Sequence, residues 1–167
     1  MTVAALAPLR LYDTAQQKVV DFTPGPLVTF YLCGITPYDA THLGHAATYV
    51  IYDVLERRLR QRGHTTRSVR NITDVDDDML RAARRRGVHH LDLAYGGLRR
   101  FDDDMEALGN LVPWQEPRAT GAIPEIRGFI RALLDKDAAY VVEGTVFFDV
   151  SSVEDFGQLS GLSSEAM

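Results

Sequence analysis

Hydrophobic residues follow two different periods along the first part of the chain. Residues 27–32 (LVTFYL) are rich in β-branched and aromatic side chains and are apolar on both alternating faces, which is typical of a buried strand. Residues 44–62 follow a helical period instead, and Gly63 stands where a left-handed residue would end the helix. The apolar stripe of this helix is predicted to contain Val50, Ile51, Val54, Leu55 and Leu59.

A second strand and a second helix follow. Residues 65–72 (TTRSVRNI) predict a strand, and Asp74 is placed to cap a helix that Gly87 closes. Residues 91–108 are again helical in pattern, although the Gly96–Gly97 pair weakens the helix propensity. Because the order strand, helix, strand, helix is typical of a parallel sheet, the sequence predicts an α/β, Rossmann-like fold.

The flanking segments predict smaller elements. These are a strand over 9–12, a polar turn over 13–26, a helix over 123–134, and a hairpin in which 139–142 and 145–150 flank residues 143–144. No internal repeat is present, so the pattern does not divide the chain into copies of one unit.

Composition limits the classes of function. The 167 residues carry a net charge of −5 with a pI near 5.5. Proteins whose main function is to bind nucleic-acid phosphates usually have a basic surface, so this charge argues weakly against that class. Cys33 is the only cysteine, so the fold cannot depend on an internal disulfide. The first ten residues lack a cationic start, and no window reaches the roughly 20 apolar residues of a membrane span. These features predict a cytoplasmic protein without a membrane partner.

The sequence His42-Leu43-Gly44-His45 follows the first long strand and opens a helix. A helix start presents backbone N–H groups and a positive dipole end, which suit a phosphate. Gly44 lets a base or phosphate approach the backbone, and the two imidazoles, three residues apart, lie on one side of the first turn. From the residues alone, three interpretations stay open: a phosphate site, two surface histidines, and a metal-binding pair.

Cys33 stands at the end of the predicted strand 27–32. Open α/β sheets place ligand-binding loops at the carboxyl ends of their strands, so a thiol here is a candidate binding residue. The alternative is a buried, unreactive cysteine, which is how a lone cysteine usually behaves.

Several segments together indicate a family. Residues 31–46, with C-G-I-T followed by H-L-G-H, resemble the first signature region of cysteinyl-tRNA synthetases, and residues 71–77 (NITDVDD) resemble their second block. Residues 117–120 and 144–150 resemble segments beyond it, in the same order. The chain is therefore similar to members of the cysteinyl-tRNA synthetase-like superfamily. Within it, CGITPYDATHLGHAATY is more similar to the ligases of mycothiol biosynthesis than to tRNA synthetases.

The resemblance implies a fold and an activity. The fold would be the catalytic half-domain of a class I aminoacyl-tRNA synthetase over residues 1–112, followed by part of a connecting insertion over 113–167. The activity would be ATP-dependent activation of L-cysteine as cysteinyl adenylate, with Mg²⁺ accompanying ATP. The cysteinyl group would then form an amide with the amino sugar of glucosaminyl-inositol.

The resemblance also implies roles for particular residues. His42 and His45 would be catalytic. ATP would be bound by Thr41, His42, Gly44 and His45. L-cysteine would be bound by Cys33, Gly34, Thr36 and Thr73. Cys33 would in addition be a ligand of a Zn²⁺ ion that holds the substrate thiolate, since zinc favours a soft thiolate over a hydroxyl.

The chain also departs from the family. A catalytic zinc needs three protein ligands, and the family's second cysteine and its histidine ligand have no counterpart here, nor does the lysine-rich KMSKS-type loop. We therefore expect an incomplete form, inactive alone, with a C-terminal half or a second copy of itself as partner. Two alternatives remain: a fragment of a cysteine–tRNA ligase, with tRNA as acceptor, and a non-catalytic paralogue that binds a nucleotide or a partner.

Overall fold

The computed structural model describes residues 7–38 and 40–161. Within them the elements follow in this order: β1 Leu9–Asp13, β2 Lys18–Phe22, β3 Leu27–Ile35, α1 Leu43–Gln61, β4 Thr65–Ile72, α2 Asp77–Arg86, α3 His90–Ala107, α4 Ile123–Leu134, β5 Ala139–Val142 and β6 Thr145–Phe148. The chain forms two compact units: a central unit, Pro24–Ile123, and a flanking unit made of the segments on either side of it. The predicted boundary between residues 112 and 113 stays a prediction.

The central unit is built on a parallel strand pair. β3 and β4 run side by side in register from Leu27 opposite Thr65 to Ile35 opposite Ile72, with α1 as the connection between them. This β3–α1–β4 unit, followed by α2, confirms the α/β class that the sequence predicted. Two isolated parallel bridges, from Val69 and Ile72 of β4, extend the pairing to the segment around residues 115–118.

Two apolar clusters hold the central unit together. One lies where β3, β4, α1 and α3 meet and contains Ile35, Tyr49, Ile72, Leu98, Phe101 and Met105. The other lies between α2 and α3 and contains Met79, Ala82, Ala83, Leu93 and Ala94. Burial of these side chains supplies the main driving force that closes the helices onto the strands.

The buried face of α1 differs from the predicted stripe. Tyr49, Glu56 and Leu59 are buried, whereas Ile51 and Val54 are 66% and 59% exposed. The prediction was therefore wrong for Ile51 and Val54, because the helix turns a mixed face, and not its most apolar one, toward β4. Buried residues at 49, 56 and 59 still follow the helical period.

A hydrogen-bonded pair explains how an acid can lie on that face. The Glu56 carboxylate accepts hydrogen bonds from the Arg60 guanidinium at 2.6 Å and from the Thr66 hydroxyl at 2.8 Å. A buried charge is tolerated when it is paired and hydrogen-bonded in this way. The contact also joins α1 to β4, because Thr66 belongs to that strand.

β3 was expected to be buried on both faces, and this expectation was wrong. Val28 is 7% exposed, but its neighbours on the other face are open: Leu27 is 45% and Tyr31 71% exposed. Burial thus alternates along β3. Among residues 7–38 and 40–161, packing therefore covers only one face of this strand.

The flanking unit contains two hairpins and most of α4. β1 pairs with β2 in antiparallel register, and β5 pairs with β6. The helix over 123–134 is confirmed, and so is the second hairpin, whose turn has positive φ at both Glu143 and Gly144. The turn predicted over 13–26 was wrong for residues 18–22, where β2 lies. No helix in the described part of the chain combines the length and apolar character needed to cross a membrane.

Asp74 does not cap α2 as predicted. The cap is Asp76, whose carboxylate accepts a hydrogen bond from the Met79 N–H at 2.6 Å. Asp74 is instead 2% exposed and accepts two hydrogen bonds from Thr120, one from its N–H at 2.8 Å and one from its hydroxyl at 2.6 Å. This carboxylate therefore fastens the segment after residue 113 to the end of β4.

Two adjacent glycines of α3 have opposite surroundings. A Cβ added to Gly97 would lie 2.0 Å from the carbonyl oxygen of Pro37, whereas a Cβ on Gly96 would meet nothing closer than Arg100 at 3.8 Å. Gly97 thus lets α3 approach the loop that follows β3, and the helix accepts a poor helix former for that reason.

Gly97→Ala is expected to destabilise the protein by about 1–3 kcal/mol, because the new methyl group forces α3 away from Pro37. Gly96→Ala, the matched control, should raise stability by up to about 1 kcal/mol through helix propensity. Urea denaturation followed by circular dichroism measures both. Equal effects of the two substitutions would contradict the close approach at Gly97.

Candidate active site

The start of α1 is closed by its two histidines. His42 is the N-cap, and its Nδ1 accepts a hydrogen bond from the Gly44 N–H at 3.1 Å. The Nδ1 of His45 in turn accepts one from the His42 N–H at 3.4 Å, which completes a capping box. The two rings stack with their centroids 3.9 Å apart.

This cap indicates the tautomer of each neutral ring. Because each Nδ1 accepts a backbone hydrogen bond, it carries no proton, and a neutral imidazole must then carry its proton on Nε2. Both rings therefore keep one N–H donor that the helix cap does not use. Two such donors at a helix start are suited to an anionic ligand.

Gly44 serves the histidine pair in a way the sequence did not reveal. Its N–H is already donated to His42, so it is not free for a phosphate. A Cβ at this position would lie 2.9 Å from Cε1 and 3.0 Å from Nδ1 of His42. A side chain here would displace the ring, so the glycine preserves the capping geometry. The prediction that Gly44 also contacts ATP stays a prediction.

Burial lowers the pKa of His45, and electrostatic repulsion between the imidazoles of His42 and His45 lowers it further. Both causes disfavour the charged imidazolium. The neutral ring that the capping box requires is therefore the favoured form at neutral pH.

A cavity of about 550 Å³ opens beside this helix start. From the α1 side it is lined by Thr41, His42, Leu43 and Ala46, and from α3 by Asp104, Met105, Ala107 and Leu108. Thr41 and His42, two of the residues predicted to bind ATP, thus border a space of the size that small ligands occupy.

Cys33 lies near the end of β3 and is exposed. The alternative of a buried thiol is therefore wrong, whereas its reactivity stays a prediction. Its carbonyl oxygen accepts a hydrogen bond from the Tyr49 hydroxyl at 3.0 Å. His42, His45 and Tyr49 follow the i, i+3, i+7 spacing of one helix face, so the face that carries the imidazoles is also the face that contacts this strand end.

The other predicted cysteine-binding residues surround the same strand end. The Thr73 N–H donates to the Ile35 carbonyl at 2.9 Å, and the Thr73 hydroxyl accepts from the Asn71 amide at 3.2 Å. The Thr36 carbonyl accepts from the Tyr38 N–H at 2.9 Å. The structure thus brings Thr36 and Thr73 to adjacent ends of two parallel strands.

Sequence reasoning missed a buried arginine at the centre of this region. Arg70 is 6% exposed, and its guanidinium lies 5.1 Å from the ring centre of Tyr49 and 4.5 Å from that of Phe101. It forms a short ion pair with Glu116 and a longer one, 3.9 Å, with Asp102. The other arginine of β4, Arg67, is exposed, and no sequence signal separates Arg70 from such a solvated charge.

The same cluster shifts two pKa values. Burial raises the pKa of Tyr49, and the positive charge of Arg70 partly opposes that rise. Burial also raises the pKa of Asp102, with a further contribution from the negative charge of Glu116. Tyr49 consequently stays protonated, and remains a hydrogen-bond donor, throughout the physiological range.

The donors present do not form a complete zinc site. A thiol at a strand end is the soft ligand that zinc favours. However, in residues 7–38 and 40–161 no group of three or more His, Cys, Asp or Glu side chains lies close enough to hold a metal ion. Since a catalytic zinc needs three protein ligands, these residues alone do not fit one. The role of Cys33 as a single ligand stays a prediction.

Comparison with known families decides the classification. The model of the tRNA synthetases class I (C) catalytic domain matches residues 20–167. The chain belongs to this family. The motifs at 31–46 and 71–77 had predicted this membership, and the family lies within the class I synthetase superfamily of enzymes.

Several curated relatives with similar sequences are ligases. The L-cysteine:1D-myo-inositol 2-amino-2-deoxy-alpha-D-glucopyranoside ligase of Streptosporangium roseum is 45% identical over 161 residues, 96% of this chain and 40% of that protein. The ligases of the same name from Thermomonospora curvata and Nocardia farcinica are 46% and 44% identical over 160 and 164 residues. This chain spans about 40% of the length of the curated relatives it matches.

Solved structures confirm the fold. The Agrobacterium radiobacter K84 agnB2 LeuRS, in a ternary complex with tRNA and LeuAMS, superposes with a TM-score of 0.58 over 70% of this chain and 16% of its own. Mycobacterium tuberculosis methionyl-tRNA synthetase bound by methionyl-adenylate gives 0.57 over 75% of this chain and 29% of its own. Each is 21% identical, so the likeness establishes the class I synthetase catalytic fold alone.

Acidification should weaken the start of α1. Because the pKa of His45 is lowered in the folded state, the unfolded chain takes up the proton first. The contribution of His45 is therefore complete above the ordinary histidine pKa of about 6.5, and it is lost as pH falls below that value toward the folded pKa. Thermal melts between pH 8 and pH 5 measure this loss.

His45→Gln provides the matched comparison, since glutamine at the third helical position keeps a hydrogen-bond acceptor without titrating. The melting temperature of the parent chain relative to this variant should fall as pH is lowered. His90→Gln, at the start of α3, is the control, and its melting temperature should change with pH as that of the parent chain does. A parent and a His45→Gln variant with parallel pH profiles would contradict the assignment.

Proposed function

We propose that the protein of which this chain is part activates L-cysteine with ATP and joins it to the amine of glucosaminyl-inositol. The main support is the 44–46% identity, over nearly the whole chain, to ligases whose name contains that acceptor. The catalytic part of the proposal is supported by the stacked His42–His45 pair, which keeps two Nε2 donors at the N-terminus of α1. A cavity of about 550 Å³ lies beside this helix start.

In the first step, the carboxylate of L-cysteine attacks the α-phosphorus of ATP, and pyrophosphate leaves. The carboxylate is already ionised at neutral pH, so the step needs no general base. Catalysis then rests on alignment and on stabilising the charge that grows on the phosphate oxygens. We assign this stabilisation to the Nε2 donors of His42 and His45, with Thr41 and Gly44 bordering the nucleotide. Mg²⁺ would enter with ATP.

The cysteine side of the site is proposed at the end of β3. Cys33, Gly34, Thr36 and Thr73 would surround the amino acid, and the exposure of Cys33 together with the adjacent positions of Thr36 and Thr73 supports this placement. Zinc, if the whole protein completes its site, would supply selectivity for a thiolate. Cys33 would be the ligand contributed by this chain.

In the second step, the amine of the acceptor attacks the carbonyl carbon of the cysteinyl adenylate. An amide bond forms, AMP leaves, and the amine gives up one proton. This chain covers about 40% of the length of its relatives. The acceptor site and any C-terminal partner segment are therefore proposed for the whole protein and are not assigned to residues of this chain.

A second candidate is cysteinyl transfer to tRNA. The matching family model describes tRNA synthetases, which favours it, whereas the names of the most similar relatives favour the amino-sugar acceptor. A non-catalytic paralogue that binds only a nucleotide or a partner is the remaining alternative. Binding of a cysteinyl adenylate and the products of a chimeric enzyme separate these three functions.

Calorimetry with a non-hydrolysable cysteinyl adenylate tests the nucleotide site. The parent chain should bind it, and His42→Ala and His45→Ala should each weaken binding about tenfold, since a hydrogen bond to a charged group contributes about 1.5–3 kcal/mol. His90→Ala is the control and should bind like the parent. No difference between the two histidine variants and the control would contradict the role proposed for the pair.

A chimera tests the reaction. This chain replaces the matching 40% of the Streptosporangium roseum ligase, and the product is assayed for cysteine-dependent exchange of pyrophosphate into ATP. We expect exchange, followed by an amide product with glucosaminyl-inositol and none with tRNA. Charged tRNA would favour the second candidate, and binding of the adenylate without exchange would favour the non-catalytic one.

A further inference from the structure

The end of β3 contains an irregularity that changes which side chains face the core. Leu32 pairs with Arg70 and Ile35 with Ile72, so three steps along β3 correspond to two along β4. One extra residue on one strand defines a β-bulge. Its consequence is visible in burial: Cys33 is exposed, yet Ile35, two residues later, is 7% exposed and belongs to the core. In a regular strand these two residues would share a face.

Tyr49 holds this bulge from the helix side. Its hydroxyl donates to the Cys33 carbonyl at 3.0 Å. Tyr49 is itself fixed, because its ring meets Phe101 edge-on at 5.4 Å and lies 5.1 Å from the Arg70 guanidinium. Since its pKa is raised by burial, the hydroxyl keeps its proton and remains a donor.

Asn71 holds the bulge from the strand side. Its Oδ1 accepts from the Gly34 N–H at 2.8 Å, and its Nδ2 donates to the Thr73 hydroxyl at 3.2 Å. The backbones approach so closely here that a Cβ on Gly34 would lie 1.4 Å from the Asn71 carbonyl oxygen. One amide side chain therefore links the ends of both strands, including Gly34 and Thr73, which are proposed to bind cysteine.

We propose that Tyr49 and Asn71 are positioning residues, which hold the Cys33–Gly34 bulge so that the thiol of residue 33 is presented outside the core while Ile35 enters it. This inference rests on the proposed function for its purpose, because the strand end it orders is the proposed cysteine-binding edge. Neither side chain touches the reacting atoms; each acts through the backbone of residues 33 and 34.

The single cysteine gives a direct readout. The rate at which a neutral alkylating reagent modifies the thiol of Cys33 reports its presentation, and no other thiol in the sequence interferes. Tyr49→Phe removes one hydroxyl and keeps the ring. We expect it to slow alkylation by about threefold to tenfold, the range that one neutral hydrogen bond supports, because the released strand turns residue 33 toward the core. Tyr52→Phe, three residues along α1, is the control and should react like the parent.

A rescue pair separates positioning from general loss of structure. Asn71→Ala should slow alkylation, whereas Asn71→Asp keeps the acceptor for the Gly34 N–H and should restore most of the rate. If Tyr49→Phe unfolds the chain, which circular dichroism would reveal, the Asn71 pair decides the question. Unchanged alkylation in Tyr49→Phe and in Asn71→Ala would overturn the inference, and so would failure of Asn71→Asp to restore the rate.

The same variants distinguish this inference from the proposed function. Tyr49→Phe should weaken binding of the non-hydrolysable cysteinyl adenylate more than binding of ATP alone, because the bulge orders the amino-acid side of the site. A parent chain that binds no adenylate would count against the proposed function, whereas the alkylation rates would still judge the bulge. Equal losses for adenylate and ATP would contradict a positioning role at the cysteine side.

Discussion

The end of β3 depends on one steric constraint: the backbones of β3 and β4 come so close at Gly34 and Asn71 that no side chain fits between them. Glycine satisfies that constraint, and the bulge beside it leaves polar backbone groups that the regular ladder does not pair. Tyr49 and the Asn71 side chain take up two of those groups. Polar groups removed from water must find such partners, so the position of the strand end follows from satisfying its own hydrogen bonds.

The helix that follows uses one set of atoms for folding and leaves another for chemistry. The Nδ1 atoms of His42 and His45 close the helix start, whereas Nε2 of each ring keeps a proton to donate. Gly44 keeps the space that the His42 ring occupies. The helix face that carries these rings also carries Tyr49, so α1 couples the imidazole pair to the strand end within two turns of helix.

Beside the same strand ends, two buried charged side chains fasten the segments that surround the site. Arg70 lies among Tyr49, Phe101 and Glu116, and Asp74 binds the backbone and hydroxyl of Thr120. Arg70 belongs to β4 and Asp74 follows that strand by two residues, and both contact residues 116–120. In this member of the class I synthetase family, the segment 116–120, which follows α3, is thereby joined to the end of β4 and to the residues just after it.

The sequence by itself determined the β3–α1–β4 order, the bounds of β4 and α4, the membership of the family and the positions of the histidine pair, because periodicity, glycine caps and contiguous motifs are local signals. It did not determine that α1 buries Glu56 in preference to Val54, that Asp76 caps α2 in place of Asp74, or that Gly44 donates its N–H to His42. Nor did it identify Tyr49, Asn71 or Arg70 as site-forming residues. Those outcomes were decided by contacts between residues far apart in the chain, and only the tertiary structure sets which polar group meets which partner.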